Sequence, residues 1–342
     1  MKRIVRAAPS DQENRNTLMR TPFRRVAALL SLAAAAVVNP AIAAQAEGAP
    51  QRLTVLASQQ LTKASVNGVR VRELSGLAWD ADENRLYVIS DRGVLFHFRL
   101  RATANALALE AVGAWTLAPP PGSRGPVDAE GLSVRNSADG VRGNSELVVA
   151  TEGQPQVIRY STQGEVRGLE PVAGGLDARA RFRGGNAMLE ALAVHPVYGL
   201  LVAAEAPLEG KRAAHHRLLA QGQEWLLPRA EGRNARLKAM DVLADGRLLV
   251  LERVEPARRK GGRKALTAVL RTVDLQSCGG ERVCEVQTLA RLEGADAADN
   301  FEGMSLLGDE RVLIVSDDRG KAARGSRFVL LQLEAGRARP EP

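Results

Sequence analysis

The sequence SGLAWD at residues 75–80 is followed, after a polar turn, by LYVISD at residues 86–91. This pair of short apolar runs recurs four times: EGLSVR with LVVATE (130–135, 147–152), EALAVH with LVAAE (190–195, 201–205), KAMDVL with LLVLE (238–243, 248–252) and EGMSLL with VLIVSD (302–307, 312–317). The interval from the first residue of the first run to the acid that ends the second is 16, 22, 15, 14 and 15 residues. A register kept over five copies indicates an internal repeat.

Each copy continues with two more alternating apolar runs, so one repeat holds four strands in 48 to 64 residues. Turns rich in Asp, Gly, Asn and Pro separate the strands, which is typical of antiparallel hairpins. This pattern predicts an all-β propeller of four-stranded blades, with five blades readable and six as an alternative. The last copy lacks an outer strand, and LTVLASQQL at residues 53–61 is predicted to supply it and close the ring. A β-sandwich or an open meander is the competing architecture.

The 342 residues contain 45% hydrophobic and 25% charged side chains, which excludes a disordered or fibrous protein. The formal charge of +8 is concentrated at the N-terminus, where residues 1–44 hold seven Lys and Arg against two acids. The remaining chain, with 40 basic and 37 acidic residues, is nearly neutral. We therefore expect no nucleic-acid partner.

The N-terminus has the pattern of an export signal, with Arg24 and Arg25 before a thirteen-residue apolar run and small residues after it. We predict a signal peptide at residues 1–43, with Met19 as an alternative start, a linker at 44–51, one propeller domain at 52–336 and a tail at 337–342. The apolar run is shorter than the roughly 20 residues of a spanning helix, so a membrane anchor is the weaker interpretation. The mature chain is predicted to be periplasmic or secreted, without stable membrane insertion, and monomeric.

Two cysteines, Cys278 and Cys284, flank a short loop between two predicted strands. In an oxidising compartment we expect them to form a disulfide. A redox pair or a zinc site is the alternative, but the spacing is not CxxC and no further ligands lie nearby.

The special positions of the repeat are predicted to meet at one mouth of the central channel, because the start of a strand lies beside the end of its antiparallel neighbour. The first position contributes Ser75, Glu130, Glu190, Lys238 and Glu302, and the last contributes Asp91, Glu152, Glu205, Glu252 and Asp317. Crowded carboxylates must be neutralised by protonation, by cations of the protein or by a metal, and among metals oxygen ligands favour Ca²⁺. The predicted metal ligands are Glu130, Glu190, Glu302, Glu152 and Glu205. Structural acids in turns or ion pairs are the alternative for each residue.

The loops that follow the terminal acids are predicted to lie at the same mouth, and three of them are long and basic. Cations around an acidic centre suit a small anionic substrate such as a phosphate ester; the alternative is that these loops only aid solubility. The predicted substrate-binding residues are Arg92, Arg319, Lys238, Lys211 and Arg212, and the predicted catalytic residues are Glu190 as base, Asp91 and Asp317. No serine-hydrolase elbow, HExxH motif or phosphate-binding loop occurs in the sequence.

The segments ELSGLAWD with LYVISDRG, DAEGLSV with ELVVATEG, MLEALAVHP, and DNFEGMSLL with VLIVSDDRG resemble the phytase-like family, also described by an esterase-like activity of phytase. The resemblance spans roughly residues 70 to 335 and implies an exported bacterial propeller that hydrolyses phosphoesters or esters, with calcium as a cofactor. It carries over Glu130, Glu190, Glu302, Asp91 and Asp317 as the axial site. Lys238, which stands where a glutamate would complete the set, departs from this pattern.

Two hypotheses follow. The first is an exported hydrolase acting on a phosphoester, or on a carboxylic ester or lactone, with Ca²⁺ at the axial mouth. The second is a non-catalytic propeller that binds a ligand or an envelope partner and whose acids are structural.

Overall fold

Five four-stranded antiparallel sheets surround a central axis in the computed structural model of the chain. The structure describes residues 52–123, 125–172, 182, 187–208, 214–255, 266–278, 282–292, 299–308, 310–320 and 324–334, and no helix occurs within these ranges. The innermost strands of neighbouring sheets contact one another in sequence around the ring, and the last contacts the first. The described residues therefore form a five-bladed β-propeller, as the repeat predicted, and the sandwich and meander alternatives are wrong.

The described chain starts with strand β1 (Arg52–Leu61) and a small hairpin of β2 (Ser65–Val66) and β3 (Val69–Arg70). The blades then follow in chain order. Blade 1 contains β4 (Leu74–Asp80), β5 (Arg85–Ser90), β6 (Val94–Thr103) and β7 (Ala106–Thr116). Blade 2 contains β8 (Ala129–Arg135), β9 (Glu146–Thr151), β10 (Gln156–Tyr160) and β11 (Val166–Glu170). Blade 3 contains β12 (Leu189–His195), β13 (Gly199–Ala204), β14 (His215–Ala220) and β15 (Gln223–Pro228). Blade 4 contains β16 (Arg233–Val242), β17 (Leu248–Glu255), β18 (Thr267–Val273) and β19 (Val286–Leu292). Blade 5 contains β20 (Asn300–Leu306), β21 (Arg311–Asp317) and β22 (Ser326–Glu334).

The ring is closed by the N-terminal strand. Strand β1 pairs antiparallel with β22 from Arg52 opposite Glu334 to Leu61 opposite Ser326, and so becomes the outer strand of blade 5. The predicted closure is confirmed. It joins the two ends of the described chain in one sheet, and no sixth blade occurs in the residues that the structure describes.

The core is divided among the interfaces between blades. Five apolar clusters each combine buried residues of two neighbouring blades, and the fifth joins blade 5 to blade 1 through Leu313, Phe328 and Leu330 against Val88 and Phe96. The second strand of a blade is covered on both faces, which explains continuous apolar runs such as VLIVS in β21. Burial on both faces, rather than propensity alone, makes these runs strands.

Every innermost strand carries a β-bulge at the same place. The pairing register slips between Leu74 and Gly76, and at the four equivalent points in blades 2 to 5. The extra residue of each bulge is the first residue of the sequence repeat: Ser75, Glu130, Glu190, Lys238 and Glu302. A bulge leaves its extra residue out of the ladder and re-aims its side chain.

The residue after each bulge is small because the next blade lies against it. A Cβ atom on Gly131 would lie 2.3 Å from the carbonyl oxygen of Glu190, and one on Gly303 would lie 3.1 Å from that of Ser75. The recurring Glu-Gly and Glu-Ala pairs of the sequence thus combine a bulged side chain with a close contact between blades.

Cys278 and Cys284 form the predicted disulfide in the loop between β18 and β19. The same loop bonds to the outer strand of blade 3: the Leu226 amide donates to the Arg282 carbonyl at 2.7 Å and the Cys284 amide donates to the Leu226 carbonyl at 2.9 Å. The disulfide therefore holds a contact between blades 3 and 4, and it fits an extracytoplasmic compartment.

The predicted signal peptide at residues 1–43, the linker at 44–51 and the tail at 337–342 lie outside the described residues. Among the described residues, no helix is long and apolar enough to cross a membrane.

Candidate functional site

Three positions of each blade face one mouth of the channel. The entry position lies two residues before the bulge, the bulge position is the extra residue itself, and the exit position is the residue opposite the entry position across the first two strands. In blade 2, for example, the amide of exit residue Glu152 donates to the carbonyl of entry residue Asp128 at 2.9 Å. In blade 5, Asn300 pairs with Asp317.

We call these fifteen residues the hub. Its entry residues are Glu73, Asp128, Met188, Arg236 and Asn300; its bulge residues are Ser75, Glu130, Glu190, Lys238 and Glu302; its exit residues are Asp91, Glu152, Glu205, Arg253 and Asp317.

In blade 4 the exit residue is Arg253, and the prediction that Glu252 faces the mouth is wrong. Arg236 pairs with Arg253, whereas Glu252 pairs with Leu237 one step earlier in the ladder. Because successive residues of a strand face opposite sides, Glu252 points into the interface with blade 3. There Arg271 Nη1 donates to its Oε1, the Ala230 amide donates to its Oε2 at 2.7 Å, and His216 Nε2 lies 3.3 Å from that oxygen.

The fully buried Glu252 is therefore a structural acid. Burial alone would raise its pKa, but the contacts with His216 and Arg271 outweigh burial and lower the pKa. His216 is buried and is engaged in this contact with Glu252.

All three hub residues of blade 4 are cationic, and they neutralise the acids of both neighbouring blades. Lys238 Nζ donates to Glu190 Oε1 and, at 2.8 Å, to Glu205 Oε1, and it lies 3.4 Å from Glu302 Oε1. Arg253 donates to Glu302 Oε1 at 2.8 Å and to Glu205 Oε1 at 3.1 Å. Arg236 Nη1 donates to Glu205 Oε2.

The pKa values reflect these ion pairs. Burial would lower the pKa of Lys238, but Glu190, Glu302 and Glu205 outweigh burial and raise it. Burial would likewise raise the pKa of Glu205, but Lys238, Arg236 and Arg253 lower it. Both groups therefore carry their charges in the folded protein, and Lys238 is a buried partner of acids, with 4% of its side chain exposed.

All three hub residues of blade 2 are acidic, and they form the opposite case. One carboxylate oxygen from each of Asp128, Glu130 and Glu152 lies within 4.8 Å of the other two. Within the described ranges no Lys, Arg or His forms an ion pair with any of them, and the Glu152 side chain accepts one hydrogen bond, from the Met188 amide at 3.0 Å. Three carboxylates at this spacing without a paired cation are a candidate metal centre.

Burial raises the pKa of all three blade 2 acids. For Glu130 the neighbouring Glu190 and Glu302 carboxylates add to burial and raise the pKa well above its usual value. Asp128 and Glu152 shift in the same direction, mainly through burial. A cation placed among these groups would favour their ionised forms.

Glu130, Glu190 and Glu302 form a second group, with one oxygen from each also within 4.8 Å of the others. Glu130 thus belongs to both groups. Two members of the second group, Glu190 and Glu302, already contact Lys238.

Blades 1 and 5 place two further acids at the mouth. Burial and the neighbouring Glu73 raise the pKa of Asp91 to about 7, and burial and Glu302 raise the pKa of Asp317 to about 6. Asp91 Oδ1 is buried and has no hydrogen bond from the described residues, although Arg92 Nε lies 3.5 Å away. These carboxyl groups can exchange protons near neutral pH.

A cavity of about 580 Å³ opens beside the blade 2 acids. Asp128, Thr151 and Glu152 form its inner wall, and the segments 119–127 and 153–156 supply most of the rest, with prolines, glycines and the amide side chains of Gln154 and Gln156. The channel under the bulge residues is much narrower and holds only about 10 Å³. A small organic molecule therefore fits beside the blade 2 acids but not in the channel under the bulge residues.

The predicted substrate-binding cations have different positions. Arg92 is largely exposed beside Asp91 and donates to both oxygens of Glu73, at 3.0 and 2.7 Å. Arg319 is exposed, and its amide donates to Asp317 Oδ1 at 2.7 Å. Lys211 and Arg212 lie outside the described residues.

Sequence reasoning missed the entry position. Asp128 stands two residues before Glu130 in DAEGLSV, and Arg236 stands two residues before Lys238, at the same offset. Arg253 was missed because the interval in blade 4 was counted to the acid before it, Glu252. Counting 15 residues from Lys238, as from Glu190 to Glu205 and from Glu302 to Asp317, leads to Arg253.

No curated protein is significantly similar to the chain in sequence. Solved structures with a similar fold include the PQQ-bound aldose sugar dehydrogenase of Streptomyces coelicolor (16% identity over 84% of this chain and 100% of that chain, TM-score 0.43). They also include the gluconolactonase XC5397 of Xanthomonas campestris (14% identity over 84% of this chain and 96% of that chain, TM-score 0.39). A luciferin-regenerating enzyme matches with 11% identity over 82% of this chain and 97% of that chain, with a TM-score of 0.39.

The family model described as phytase-like, esterase-like activity of phytase, matches residues 69–319, which include the whole hub. The chain belongs to this phytase-like family.

Proposed function

We propose that the protein is an exported hydrolase that cleaves a small anionic ester, first of all a phosphoester, with Ca²⁺ held by blade 2 of the hub. The observation that carries this proposal is the group of Asp128, Glu130 and Glu152, whose oxygens lie within 4.8 Å of one another beside a cavity. Membership of the phytase-like family supports ester hydrolysis, and the disulfide supports an extracytoplasmic location.

The donor set fits calcium. Ca²⁺ takes carboxylate oxygens at about 2.3 to 2.6 Å, so two ligands on opposite sides of the ion lie roughly 4.6 to 5.2 Å apart. The blade 2 oxygens all lie within 4.8 Å of one another, which does not exceed this span, so one ion can reach all three. Zinc prefers nitrogen and sulfur ligands, and no His or Cys belongs to the group.

The other predicted residues divide into two sets. Glu190, proposed from the sequence as base and ligand, and Glu205 and Glu302, proposed as ligands, contact the cations of blade 4. Asp91 and Asp317 contact none of the described lysines, and their pKa values are raised to about 7 and 6. We therefore assign the proton transfers to Asp91 and Asp317 rather than to Glu190.

Bound calcium supplies Lewis acidity toward the anionic ester. Asp91 takes a proton from the attacking water as its oxygen bonds to phosphorus or to the acyl carbon. Asp317, in its protonated form, gives a proton to the oxygen of the leaving alcohol. Arg92 and Arg319 are placed to bind outer anionic oxygens, and the cavity beside blade 2 takes the alcohol part. The products are the free acid and the alcohol.

Turnover of 4-nitrophenyl phosphate, 4-nitrophenyl butyrate and an aliphatic lactone tests the proposal, with each measured in calcium and in excess chelator. We expect calcium-dependent turnover of one of them, its loss in Glu152→Gln, and its retention in Glu170→Gln, a matched change on the outer strand of the same blade. No turnover above background by the folded protein with any of the three would contradict it.

The neutralised acids of blades 3 and 5 also support a second candidate, a propeller that binds an anionic ligand through hub calcium without cleaving it. Calcium-dependent binding of phosphate or 4-nitrophenyl phosphate, without turnover, would favour this function.

A further inference from the structure

Lys238 lies in the hub against two carboxylates of the second oxygen group. Its ammonium group contacts Glu190, Glu205 and Glu302, each through Oε1. Glu190 and Glu302 also form, with Glu130, the second group of oxygens within 4.8 Å of one another. An ion in that group would share two carboxylates with the ammonium.

The ammonium group of Lys238 is buried and surrounded by carboxylates. The Lys238 side chain is 4% exposed, and it lies between Glu190 and Glu205 of blade 3 on one side and Glu302 of blade 5 on the other. Arg253 contacts the same oxygens of Glu205 and Glu302. A divalent ion here would lie next to two buried positive charges, and repulsion at such short distances is strong in the interior.

Resting on the proposed function, we infer that Lys238 acts as a built-in cation which restricts the hub to a single divalent ion, bound at Asp128, Glu130 and Glu152. Glu130 belongs to both oxygen groups and directs its charge to the blade 2 ion. Lys238 is a positioning residue: it holds Glu190, Glu205 and Glu302 and does not touch the substrate.

The test is the number of calcium ions bound per chain, measured by equilibrium dialysis against calcium alone and elemental analysis. Glu152→Gln is expected to bind one ion fewer than the wild type, and Lys238→Met one ion more. Lys63→Met, which removes the same charge from an exposed position, is expected to leave the number unchanged. An unchanged number in Lys238→Met would overturn the inference, as would a wild-type hub that loses two ions, or none, on Glu152→Gln.

Lys238→Met leaves three buried carboxylates without their ammonium, so the variant is purified both with calcium and with chelator. Folding only in the presence of calcium supports the inference, because the ion then replaces the lost charge. If the variant folds in neither condition, Glu190→Gln decides. Glu190→Gln is expected to keep the blade 2 ion, because Glu190 is paired with Lys238 and is not a ligand of that ion. Loss of the blade 2 ion in Glu190→Gln would overturn the inference.

Ion number and hydrolysis can fail independently. One ion per hub without turnover of any ester would contradict the proposed function and support the role of Lys238. Ester turnover with two ions in the wild-type hub would support the proposed function and contradict the role of Lys238.

Discussion

Blades 2 and 4 share one backbone and have opposite chemistry. Both have a bulge in the innermost strand and the same three hub positions, filled by Asp128, Glu130 and Glu152 in blade 2 and by Arg236, Lys238 and Arg253 in blade 4. The blade 4 cations pair with the acids of blades 3 and 5 and stabilise the ring from within. Within the described residues the blade 2 acids form no ion pair, and Arg92 and Lys238 act on them only from a longer distance. The repeat therefore supplies positions, and the charges placed there separate a structural part of the hub from a candidate metal centre.

The largest effect is expected from breaking the structural part. Lys238→Met should lower the free energy of unfolding by about 3 to 5 kcal/mol in chelator, because it leaves the buried Glu190 carboxylate without its paired cation and leaves Glu205 and Glu302 to the arginines of blade 4. Urea denaturation measures this change. The double variant Lys238→Met with Glu190→Gln should recover part of the loss, since it removes one of the stranded charges. A loss no greater than that of Lys63→Met would show that the ion pairs of blade 4 contribute little.

The fold, and the meeting of the repeat positions at the hub, could be predicted from the sequence. The ion-pair partners of the hub side chains could not. Five copies of one pattern and the orphan strand at 53–61 determine the ring and its closure, because strand order and period are properties of the chain itself. Lys238 was expected to bind substrate and to interrupt a symmetric site. Its partners lie on blades 3 and 5, and such contacts between blades depend on side-chain directions that no spacing in the sequence expresses.

The difference between Glu252 and Arg253 illustrates the same limit at the scale of one residue. In a strand, a shift of one position moves a side chain to the opposite face. The interval from the bulge residue to the exit residue is 15 in blades 3, 4 and 5, and taking the acid at 14 in blade 4 led to the wrong face. Asp128 was missed for a related reason, because the pattern was taken to begin at the bulge residue and the entry residue before it was left out.

The next largest effect is expected on calcium binding by the blade 2 acids. Asp128→Asn and Glu152→Gln should each weaken calcium binding about 100-fold, which removes about 2.7 kcal/mol of calcium-dependent stabilisation at a fixed calcium concentration. Calorimetric titration and melting with and without calcium measure it. Glu205→Gln, in the hub but paired with blade 4 cations, is the matched control. Equal losses in Glu152→Gln and Glu205→Gln would contradict the division of the hub.

A smaller effect is expected at the edge of blade 4, far from its hub charges. Cys278→Ser with Cys284→Ser opens a short loop and should cost about 2 kcal/mol. Hydrogen exchange should rise at the amides of residues 226 and 284, which bond the loop to blade 3. Calcium affinity and ester turnover should not change, because the hub charges stay in place. A fall in calcium affinity would mean that the blade 4 effects at the hub come from general loosening of the blade.

The smallest effect concerns pH and separates the acids that pair with the cations of blade 4 from the acids that do not. Asp91 and Asp317 have folded pKa values of about 7 and 6, above the ordinary 3.8 of the unfolded chain. Between pH 8 and 5 the folded protein therefore binds protons that the unfolded chain does not, so in chelator its stability should rise as the pH falls through this window. Glu205, whose pKa is lowered, stabilises the fold above about pH 4.5 and loses that contribution only in more acidic solution.

Each titrating carboxyl contributes a slope of at most about 1.4 kcal/mol per pH unit, and less where solvent screens it. Denaturation midpoints between pH 5 and 8 measure the slope. Asp91→Asn with Asp317→Asn should flatten it, whereas Glu205→Gln should leave it unchanged, because Glu205 does not titrate in this range. The opposite result, in which Glu205→Gln flattens the dependence of stability on pH and the double variant does not, would contradict the prediction. The cations of blade 4 would then not account for the different pKa values of Glu205 and of Asp91 and Asp317.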